Sequence, residues 1–412
     1  MCAYQTGSNV LVAMKAEKAA TPGTAALTTT ITSSQLRIID SPGMKLNRAV
    51  VQSAEKRADG FKTMGRLGGK STDGSYNCEV SPGGMTDHLI EAVMRSTWST
   101  AVAIGFATMT TVAMGTLTLT AAAGDWVGTE GVRVGDVFRI TGTTVSGNNN
   151  LNSRVVTVNS LTITTTPLTF TTLVATATGT LTRLRKLISA TTPTRRSWTI
   201  EQHDTDTDLS ELYLGSRCTG MSLSCKPGQH ATAQYTFVGM DRTALVTATS
   251  PWFVSPVLST DLGMIADDSV ILKDGVAVAD FNSFDLNFSI AAATEPVIGS
   301  LVSPDVFDND CTVTGTISGL RDSFAGLTDY DAETEFSISI LLEESETAPA
   351  DCLAIYIPRA VIANLHAPVG GGDGAKIETW ELMIGPKVAA TGHDATIAAF
   401  HTSEIASHVP DL

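Results

Sequence analysis

Charged side chains are scarce in this chain of 412 residues, at 17% where soluble domains usually carry about 25%. Cations are the scarcer sign, with 27 Lys and Arg against 42 Asp and Glu and a net charge of −15. A surface that grips nucleic acid needs clustered Lys and Arg to neutralise phosphates, so the composition argues against such a protein. Because charge normally faces water, its low share suggests that other copies of the chain cover much of the surface.

Paired cysteines are also lacking. None of the six cysteines belongs to a Cys-x-x-Cys pair, which argues against a structural zinc site or a thioredoxin-type redox site. Cys78 and Cys225 stand in apolar alternation, and we interpret the cysteines as small hydrophobic residues in a reducing compartment. The first residues do not have the basic and apolar regions of a secretory signal, so we expect none.

Signatures of catalysis are missing as well. The run Gly-Gly-Lys-Ser at 68–71 ends like a phosphate-binding loop, but Met64 stands where that motif requires glycine. The Gly-x-Ser-x-Gly nucleophile motif is absent, and the seven histidines show no metal-binding spacing. We interpret His393, Asp394 and His401 as ordinary surface residues. The sequence therefore predicts a protein that is not an enzyme and has no cofactor.

Acidic residues do not form a recognisable metal loop. Asp305, Asp308 and Asp310 are close in sequence, but they lack the Gly and the closing Glu of an EF-hand. The glycine-rich run at 370–374 is not followed directly by Lys and predicts a flexible loop. We therefore expect no metal site.

Alternation of apolar and polar residues with a period of two is the dominant pattern, and it predicts half-buried antiparallel strands. The predicted strands include residues 35–40, 74–80, 196–202, 284–290, 311–319 and 333–342. Two uncharged stretches, 96–124 and 155–182, are long enough to span a membrane as helices. They are rich in Thr and other β-branched residues, so we interpret them as strands and expect no membrane association.

Helical periodicity is confined to two short segments. Residues 86–97 place four apolar side chains on one face, with Thr86 or Asp87 able to cap the helix. A weaker helical segment covers 321–331. Each segment lies between two predicted strands, so the order strand, helix, strand occurs twice and suggests a duplicated domain.

A long Thr-rich segment separates the first helix from the strand that follows it. Its Gly and Asn turns, such as Gly-Asn-Asn-Asn at 147–150, are typical of a small β-barrel or an immunoglobulin-like module. We therefore predict three parts: a discontinuous first domain at 1–104 and 186–255, an inserted domain at 105–185, and a second domain at 256–412.

Several segments of the chain resemble the tail tube (major tail) proteins of long-tailed bacteriophages. The likeness is carried by residues 41–57 and by 74–98, a glycine-led strand followed by a Ser-Pro-Gly-Gly turn and an amphipathic helix that ends near Trp98. It extends to GVRVGDVFRITGT in the inserted segment, to RRSWTIEQ and to CTVTGTISG. None of these segments is a catalytic signature.

This resemblance implies a mainly β fold of duplicated tail-tube β-sandwich or barrel domains, each flanked by a short helix, with an inserted small β-domain. Family members form rings that stack into a tube, and phage DNA passes through without specific binding. One-domain members form hexamers, so two domains favour a trimer with pseudo-sixfold symmetry; a hexamer is the alternative.

The resemblance also implies that the protein belongs to the virion tail and is assembled in the cytoplasm of the host bacterium. Its expected partners are further copies of itself and the tail terminator and tail-tip proteins. Two alternatives remain open at this point. They are another virion or surface β-protein, such as a decoration or adhesin-like module, and a secreted carbohydrate-active β-enzyme.

Residues 40–73 are basic in an otherwise acidic chain and have little apolar periodicity. Their cations are Lys45, Arg48, Lys56, Arg57, Lys62, Arg66 and Lys70. Three interpretations of this segment are open. It could be a solvated hairpin or mobile loop, an arm that docks on an acidic patch of a neighbouring copy, or a segment that binds DNA. In a stacked tube these cations are candidates for contacts between rings, and the acidic loop 295–310 is a candidate for the surface that receives them.

A DNA channel should repel phosphates, because each contact made by Lys or Arg adds affinity. Glu79, Glu201 and Glu335 alternate with apolar neighbours in predicted strands, so we predict that they line the lumen; the alternative is the outer surface. We expect the inserted domain on the outer wall, because an inward position would obstruct the channel.

Overall fold

Strands form most of the computed structural model. It describes residues 7, 9–18, 20–26, 33–166, 169–190, 192–259, 261–278, 280–345, 347–367, 369, 375–387 and 397–403. Two short α-helices accompany the strands, and the prediction of a mainly β protein is confirmed. Neither of these helices is long and apolar enough to cross a membrane. His393, Asp394 and the glycine-rich run at 370–374 lie outside the described residues.

The first unit of the fold begins with four strands and a helix. They are β1 (Val10–Ala16), β2 (Ser34–Leu36), β3 (Gly43–Val51), β4 (Arg66–Glu79) and α1 (Gly84–Met94). The unit resumes later in the chain with β14 (Trp198–Asp204), β15 (Leu209–Cys225), β16 (Thr232–Gly239) and β17 (Asp241–Leu245). Its strands alternate between buried apolar and more exposed polar residues, as in β16, so one face of each packs into the core.

An insert separates the two parts of the first unit. It consists of β5 (Val102–Gly105), β6 (Val112–Met114), β7 (Thr118–Ala121), β8 (Val137–Thr141), β9 (Asn152–Val158), β10 (Thr162–Thr166), β11 (Leu173–Thr176) and β12 (Thr180–Arg183). These strands form their own eight-stranded antiparallel sheet around a core that includes Phe106 and Trp126. A short strand, β13 (Arg185–Ile188), leads back to the first unit.

The second unit contains the remaining elements. They are β18 (Val270–Lys273), β19 (Val276–Ala277), β20 (Phe281–Thr294), β21 (Val306–Leu320), α2 (Ala325–Asp331), β22 (Phe336–Glu343), β23 (Cys352–His366), β24 (Ile377–Ile384) and β25 (Ala399–Thr402). The exact boundaries proposed for the three domains stay a prediction.

The two units have the same strand connectivity. In the first, β4 pairs with β3 and β16, β15 pairs with β14, β16 and β17, and β14 pairs with β1. In the second, β21 pairs with β20 and β24, β23 pairs with β22, β24 and β25, and β22 pairs with β18. Every one of these pairs is antiparallel, and each helix follows the equivalent strand. The predicted duplication of the fold is therefore confirmed.

Irregularities of the strand ladders also fall at equivalent places. In β3 the register shifts between Arg48 and Val50, and in the equivalent β20 between Ile290 and Ala292. In β14 it shifts between Trp198 and Ile200, and in β22 between Phe336 and Ile338. In β15 it shifts between Cys218 and Gly220, and in β23 between Ile362 and Asn364. A bulge locally bends a strand and changes the facing of its side chains. The shared bulges therefore fix which residues of the two units correspond.

Helix α1 begins two residues earlier than predicted, and the predicted cap is wrong. The N-cap is Gly83, whose φ of 79° suits glycine, and no side chain caps the helix. Thr86 and Asp87 lie inside the first turn and are buried. The chain enters the helix through two positive-φ glycines rather than through a polar cap.

Trp98 secures the exit of this helix. Its backbone N–H donates to Glu91 Oε1 at 2.9 Å, and its indole N–H donates to the carbonyl of Asp87 at 3.0 Å. Glu91 also pairs with the buried Arg196 at 3.3 Å. Burial acts to raise the pKa of Glu91, but His88 and Arg196 outweigh it and lower the pKa overall. The helix end is thus tied to the start of β14.

The basic segment 40–73, for which the sequence left a hairpin, a mobile loop or a docking arm open, forms most of a β-hairpin. It contains all of β3 and the first half of β4, with residues 52–65 as the connection. The period-two pattern is hidden in the sequence because both faces of the outer half of this hairpin are exposed. One of the alternatives considered from the sequence, a solvated hairpin, thus describes its backbone.

The insert packs on the second unit. Asn152 Nδ2 donates to Glu343 Oε1 at 2.6 Å, and Val137 shares an apolar cluster with Leu341 and Cys352. These contacts join the insert to β22 and to the first residues of β23.

A buried charge cluster lies at the same junction. Asp136 is 1% exposed and accepts a hydrogen bond from Lys186 Nζ at 2.6 Å. His401 Nε2 lies 3.3 Å from the same carboxylate. Burial acts to raise the pKa of Asp136, but His401 and Lys186 lower it to about 2. The interpretation of His401 as a surface residue is therefore wrong, since it is 1% exposed; it stands in β25 between β13 and β23, and its ring faces the buried Asp136 of the insert.

We expect Asp136→Asn to lower the free energy of unfolding by about 3–5 kcal/mol, because it breaks a buried ion pair from one side. In the wild type, the contribution of Asp136 is present above the usual carboxyl pKa near 4 and is lost as the pH falls toward about 2. Urea unfolding of the unassembled protein measures both effects. Asp322→Asn, on an exposed loop, is the control; equal stability of the two variants would contradict the role of the cluster.

Candidate assembly surfaces

Strands from both units join in one open sheet. Its order is β3-β4-β16-β15-β20-β21-β24-β23, and every neighbouring pair is antiparallel. The two units meet where residues 220–225 of β15 pair with 284–289 of β20. β3 stands at one edge, and the C-terminal half of β23 stands at the other. Neither edge has a second partner strand within the part of the chain that the structure describes.

One face of this open sheet is polar across its width. A straight row of opposing residues crosses seven strands and consists of Glu79, Thr232, Ser224, Asp285, Thr316, Glu381 and Asn364. The neighbouring row contains Asn77, Gln234, Ser222, Asn287 and Thr314. The other face carries core residues such as Tyr76 and Leu286. These two rows bear hydroxyls, amides and carboxylates, with no Lys or Arg.

Only one of the three glutamates predicted to line a lumen belongs to this polar face. Glu79 ends β4 on that face. Glu335 precedes β22, outside the open sheet, and is exposed with an ion pair to Arg359 at 2.6 Å. Asp285 and Glu381 lie on the polar face and were missed. Each of them alternates with apolar residues in the sequence, and this pattern could have identified them.

Glu201 is not a lumen residue, which corrects the prediction. It is 0% exposed, and its carboxylate accepts the backbone N–H groups of Trp252 at 2.7 Å and Phe253 at 2.8 Å. The pattern predicted one polar face for β14, but a later segment of the chain covers that face. Glu201 therefore fastens this segment to the sheet.

The arm is the hairpin of β3 and β4 with its connection at 52–65. At its base, Lys70 Nζ pairs with Asp241 at 2.9 Å, and the Lys70 N–H donates to the carbonyl of Leu301 at 2.7 Å. Thr72 is fully buried. The base is thus anchored to both units, while the outer part is exposed.

The seven cations predicted to make contacts between rings fall into two groups. Four of them interact within the chain: Lys45 with Asp73 at 3.4 Å, Arg48 with the Gly68 carbonyl at 3.3 Å, Arg57 with Asp59 at 2.7 Å, and Lys70 with Asp241. Lys56, Lys62 and Arg66 are exposed, and none of them has an ion pair among the described residues. These three are the cations best placed to meet another molecule.

The arm also exposes large apolar side chains that the sequence analysis did not single out. They are Val50, Val51, Phe61, Met64 and Leu67, with Phe61 at 75% and Met64 at 89% exposure. Such a concentration on one projecting hairpin is typical of a surface that another protein covers.

The acidic loop 295–310 does not fit the expected receiving surface. Its first part, 295–305, connects β20 to β21 and is therefore the second unit's equivalent of the connection 52–65. Its main carboxylates are already neutralised, since Arg217 pairs with Asp308 at 2.7 Å and with Asp305 at 2.8 Å. Arg195 pairs with Asp308 at 2.9 Å. Because its tip, 295–305, corresponds to the arm tip, the loop is not a complement to the arm.

The duplicated fold agrees with the comparison with known families. The chain matches the model of the phage tail tube protein family over residues 7–194 and again over 167–384. These two regions cover most of the chain, so it belongs to the phage tail tube family, as a two-unit member. No curated protein matches the chain. The protein is accordingly a structural component of a bacteriophage tail.

Proposed function

We propose that three copies of the chain close into a ring with pseudo-sixfold symmetry, and that rings stack into a tube that conducts DNA during ejection. The open sheet supports this most directly, because its two units are joined edge to edge and no described residue pairs with its two outer edges. An exposed sheet edge is a template for pairing with another chain. The role is structural and needs no catalysis.

The proposed ring closes because the joint between the two units of one chain is repeated between neighbouring chains. If each chain joins the next as its own two units join, the same rotation is applied at every joint, which is the condition for a closed ring. Three copies supply ~24 strands, and at about 4.8 Å per strand the barrel is about 37 Å across before strand tilt widens it. Such a barrel accommodates a DNA duplex.

We expect the purified protein to form rings and tubes in negative-stain microscopy, with rings of three chains by native mass spectrometry. The physical reason for ring formation is edge pairing, since β3 of each copy can pair with the C-terminal half of β23 of the next copy. Rings of six chains would contradict the trimer, and isolated particles at every concentration would contradict the tube itself.

The polar face of the open sheet is the proposed channel wall. Its rows carry the carboxylates of Glu79, Asp285 and Glu381 among hydroxyl and amide groups. Excess negative charge repels phosphates, and hydroxyls hold water, so DNA stays mobile. The cation Lys45 projects beside Asp73, which partly cancels its charge.

Replacing Glu79, Asp285 and Glu381 with Lys should impair DNA delivery by otherwise intact particles, with the defect relieved at higher salt. Each new cation adds a salt-dependent phosphate contact. Phage titre and DNA release at two salt concentrations measure the effect. Asp322→Lys, outside the open sheet, is the control. Normal delivery by the triple variant would remove this face from the channel.

The arm is the proposed contact between successive rings. By the equivalence of the hairpins, its tip and the loop 295–305 project from the same side of the ring. The receiving surface is therefore the opposite side of the next ring, in an open head-to-tail stack. Exposed Phe61 and the three exposed cations supply its apolar and ionic contacts.

Reversing Lys56, Lys62 and Arg66 to Glu should leave ring formation intact and block tube growth, because the arm then repels an acidic neighbour. Electron microscopy separates single rings from tubes. Lys18→Glu, at an exposed position that follows β1 and lies outside the open sheet, is the control. Tubes of normal length from the arm variant would show that these cations do not link rings.

The insert is proposed to lie on the outer wall. Its contacts run to β22 and to the start of β23, which are not part of the polar face. The ends of the tube require other proteins, the tail terminator and the tail-tip proteins, and assembly takes place in the cytoplasm of the host bacterium.

A further inference from the structure

We propose the residue-level register of the joint between chains, an inference that rests on the proposed ring. In this joint β3 of one chain pairs antiparallel with the C-terminal half of β23 of a second copy. Lys45 lies opposite His366 of that copy, and Asn47 lies opposite Asn364. The arm then covers Val361 with apolar side chains.

The register follows from the joint inside the chain. There, Ser289 lies opposite Gly220, and Asn287 lies opposite Ser222. The shared bulges show which residues of β3 correspond to these residues of β20. Ile290 and Arg48 are the last paired residues before the bulge in each strand, so Ser289 corresponds to Asn47.

The same alignment applies to the long central strands. Gly220 and Asn364 are each the first paired residue after the bulge. Two residues further on, Ser222 corresponds to His366. The two pairs inside the chain thus become Asn47 with Asn364 and Lys45 with His366 between chains.

Exposure marks the edge of β23 as uncovered in a single chain. Thr219 is 8% exposed and Gly220 is buried, because β20 lies alongside them. Their counterparts, Ala363 and Asn364, are exposed, and so is His366. On the other edge, Lys45 and Asn47 of β3 are also exposed. Among the residues that the structure describes, the second unit therefore has no strand in the place that β20 occupies beside β15 of the first unit.

The side chains beside the joint differ between the joint inside the chain and the proposed joint between chains. Inside the chain, Arg217 of β15 binds Asp308 of β21 at 2.7 Å in a buried ion pair. Arg217 corresponds to Val361, the second residue before the bulge in β23. Asp308 corresponds to Leu67, since each is the first residue paired after the bulge of its hairpin.

Apolar contact therefore replaces an ion pair in the joint between chains. Leu67 is 57% exposed in the single chain, and Met64, which corresponds to Asp305, is 89% exposed. Burying such side chains is favourable and nearly independent of salt. This assigns a role to two exposed apolar residues of the arm.

Cysteine pairs test the register in assembled tubes. The variants Lys45→Cys/His366→Cys and Asn47→Cys/Asn364→Cys should cross-link, because opposing residues lie about 4.5–5.5 Å apart. The swapped variants Asn47→Cys/His366→Cys and Lys45→Cys/Asn364→Cys use the same positions at about 7–8 Å, beyond easy bridging. Wild type controls for the native cysteines.

On non-reducing gels, the matched pairs should give a ladder that ends at three chains, and the swapped pairs should remain mostly monomeric. Equal cross-linking of swapped and matched pairs, or none in tubes that form normally, would overturn the register while leaving the tube intact. A ladder reaching six chains would keep the register and contradict the trimer. Failure of the wild type to form rings would contradict the proposed function, and the register with it.

A second experiment tests the apolar contact. Leu67→Asp should weaken assembly about tenfold or more, because it places a carboxylate against Val361. The double variant Leu67→Asp/Val361→Arg should regain assembly that now falls with added salt, as expected for a transplanted ion pair. Val174→Asp, at an apolar position of the insert that is even more exposed than Leu67, should assemble normally.

Normal assembly of Leu67→Asp would overturn the apolar contact. Circular dichroism checks that this variant is folded, which its exposed position favours. If Val361→Arg fails to fold, the comparison of Leu67→Asp with Val174→Asp still decides the question.

Discussion

The antiparallel joint between β15 and β20 is the interaction on which the architecture depends. It merges four strands of each unit into one sheet through backbone hydrogen bonds, which impose both spacing and direction. Because of this joint, the polar faces of the two units run together and their hairpins project from the same side. Within the described parts of the chain, the outer edges of this sheet, at β3 and at the C-terminal half of β23, have no partner strand. Two unlike edges are what the proposed ring requires of each subunit.

Charge in this chain is used internally to an unusual degree. Asp136, Glu91 and Asp308 each bind cations in buried positions, and Glu201 holds backbone N–H groups. The low charged fraction of the composition suggests a covered surface. The more direct sign is where large apolar groups remain exposed, as they do on the arm, on the equivalent loop of the second unit and along residues 246–262. Composition counts charges, but it does not record which of them face water.

Strand segments with clear alternation, such as 284–290 and 311–319, could be predicted from sequence together with the two helices and the duplication, because alternation and helical spacing are local signals. Three features could not. Gly83 replaces a polar N-cap, since backbone φ is invisible to a composition pattern. Glu201 and His401 alternate like surface residues, but distant segments of the chain cover them. The arm was recognised by its charge, and its exposed apolar residues were overlooked because they have no period.

Fusion of two units into one chain makes the two kinds of joint physically different. Inside the chain the units are always at high effective concentration, so this joint tolerates a buried ion-pair cluster whose desolvation cancels much of its attraction. A joint between chains must instead overcome the entropy of association. Burial of apolar side chains offsets this entropy cost at any salt concentration. An ion pair offsets it poorly, and its contribution falls as salt is added. In the proposed register, Leu67 and Val361 occupy the positions that Asp308 and Arg217 hold inside the chain, as this requirement favours. At these positions the two units thus differ in the way expected if one joint is covalently tethered and the other must form in solution.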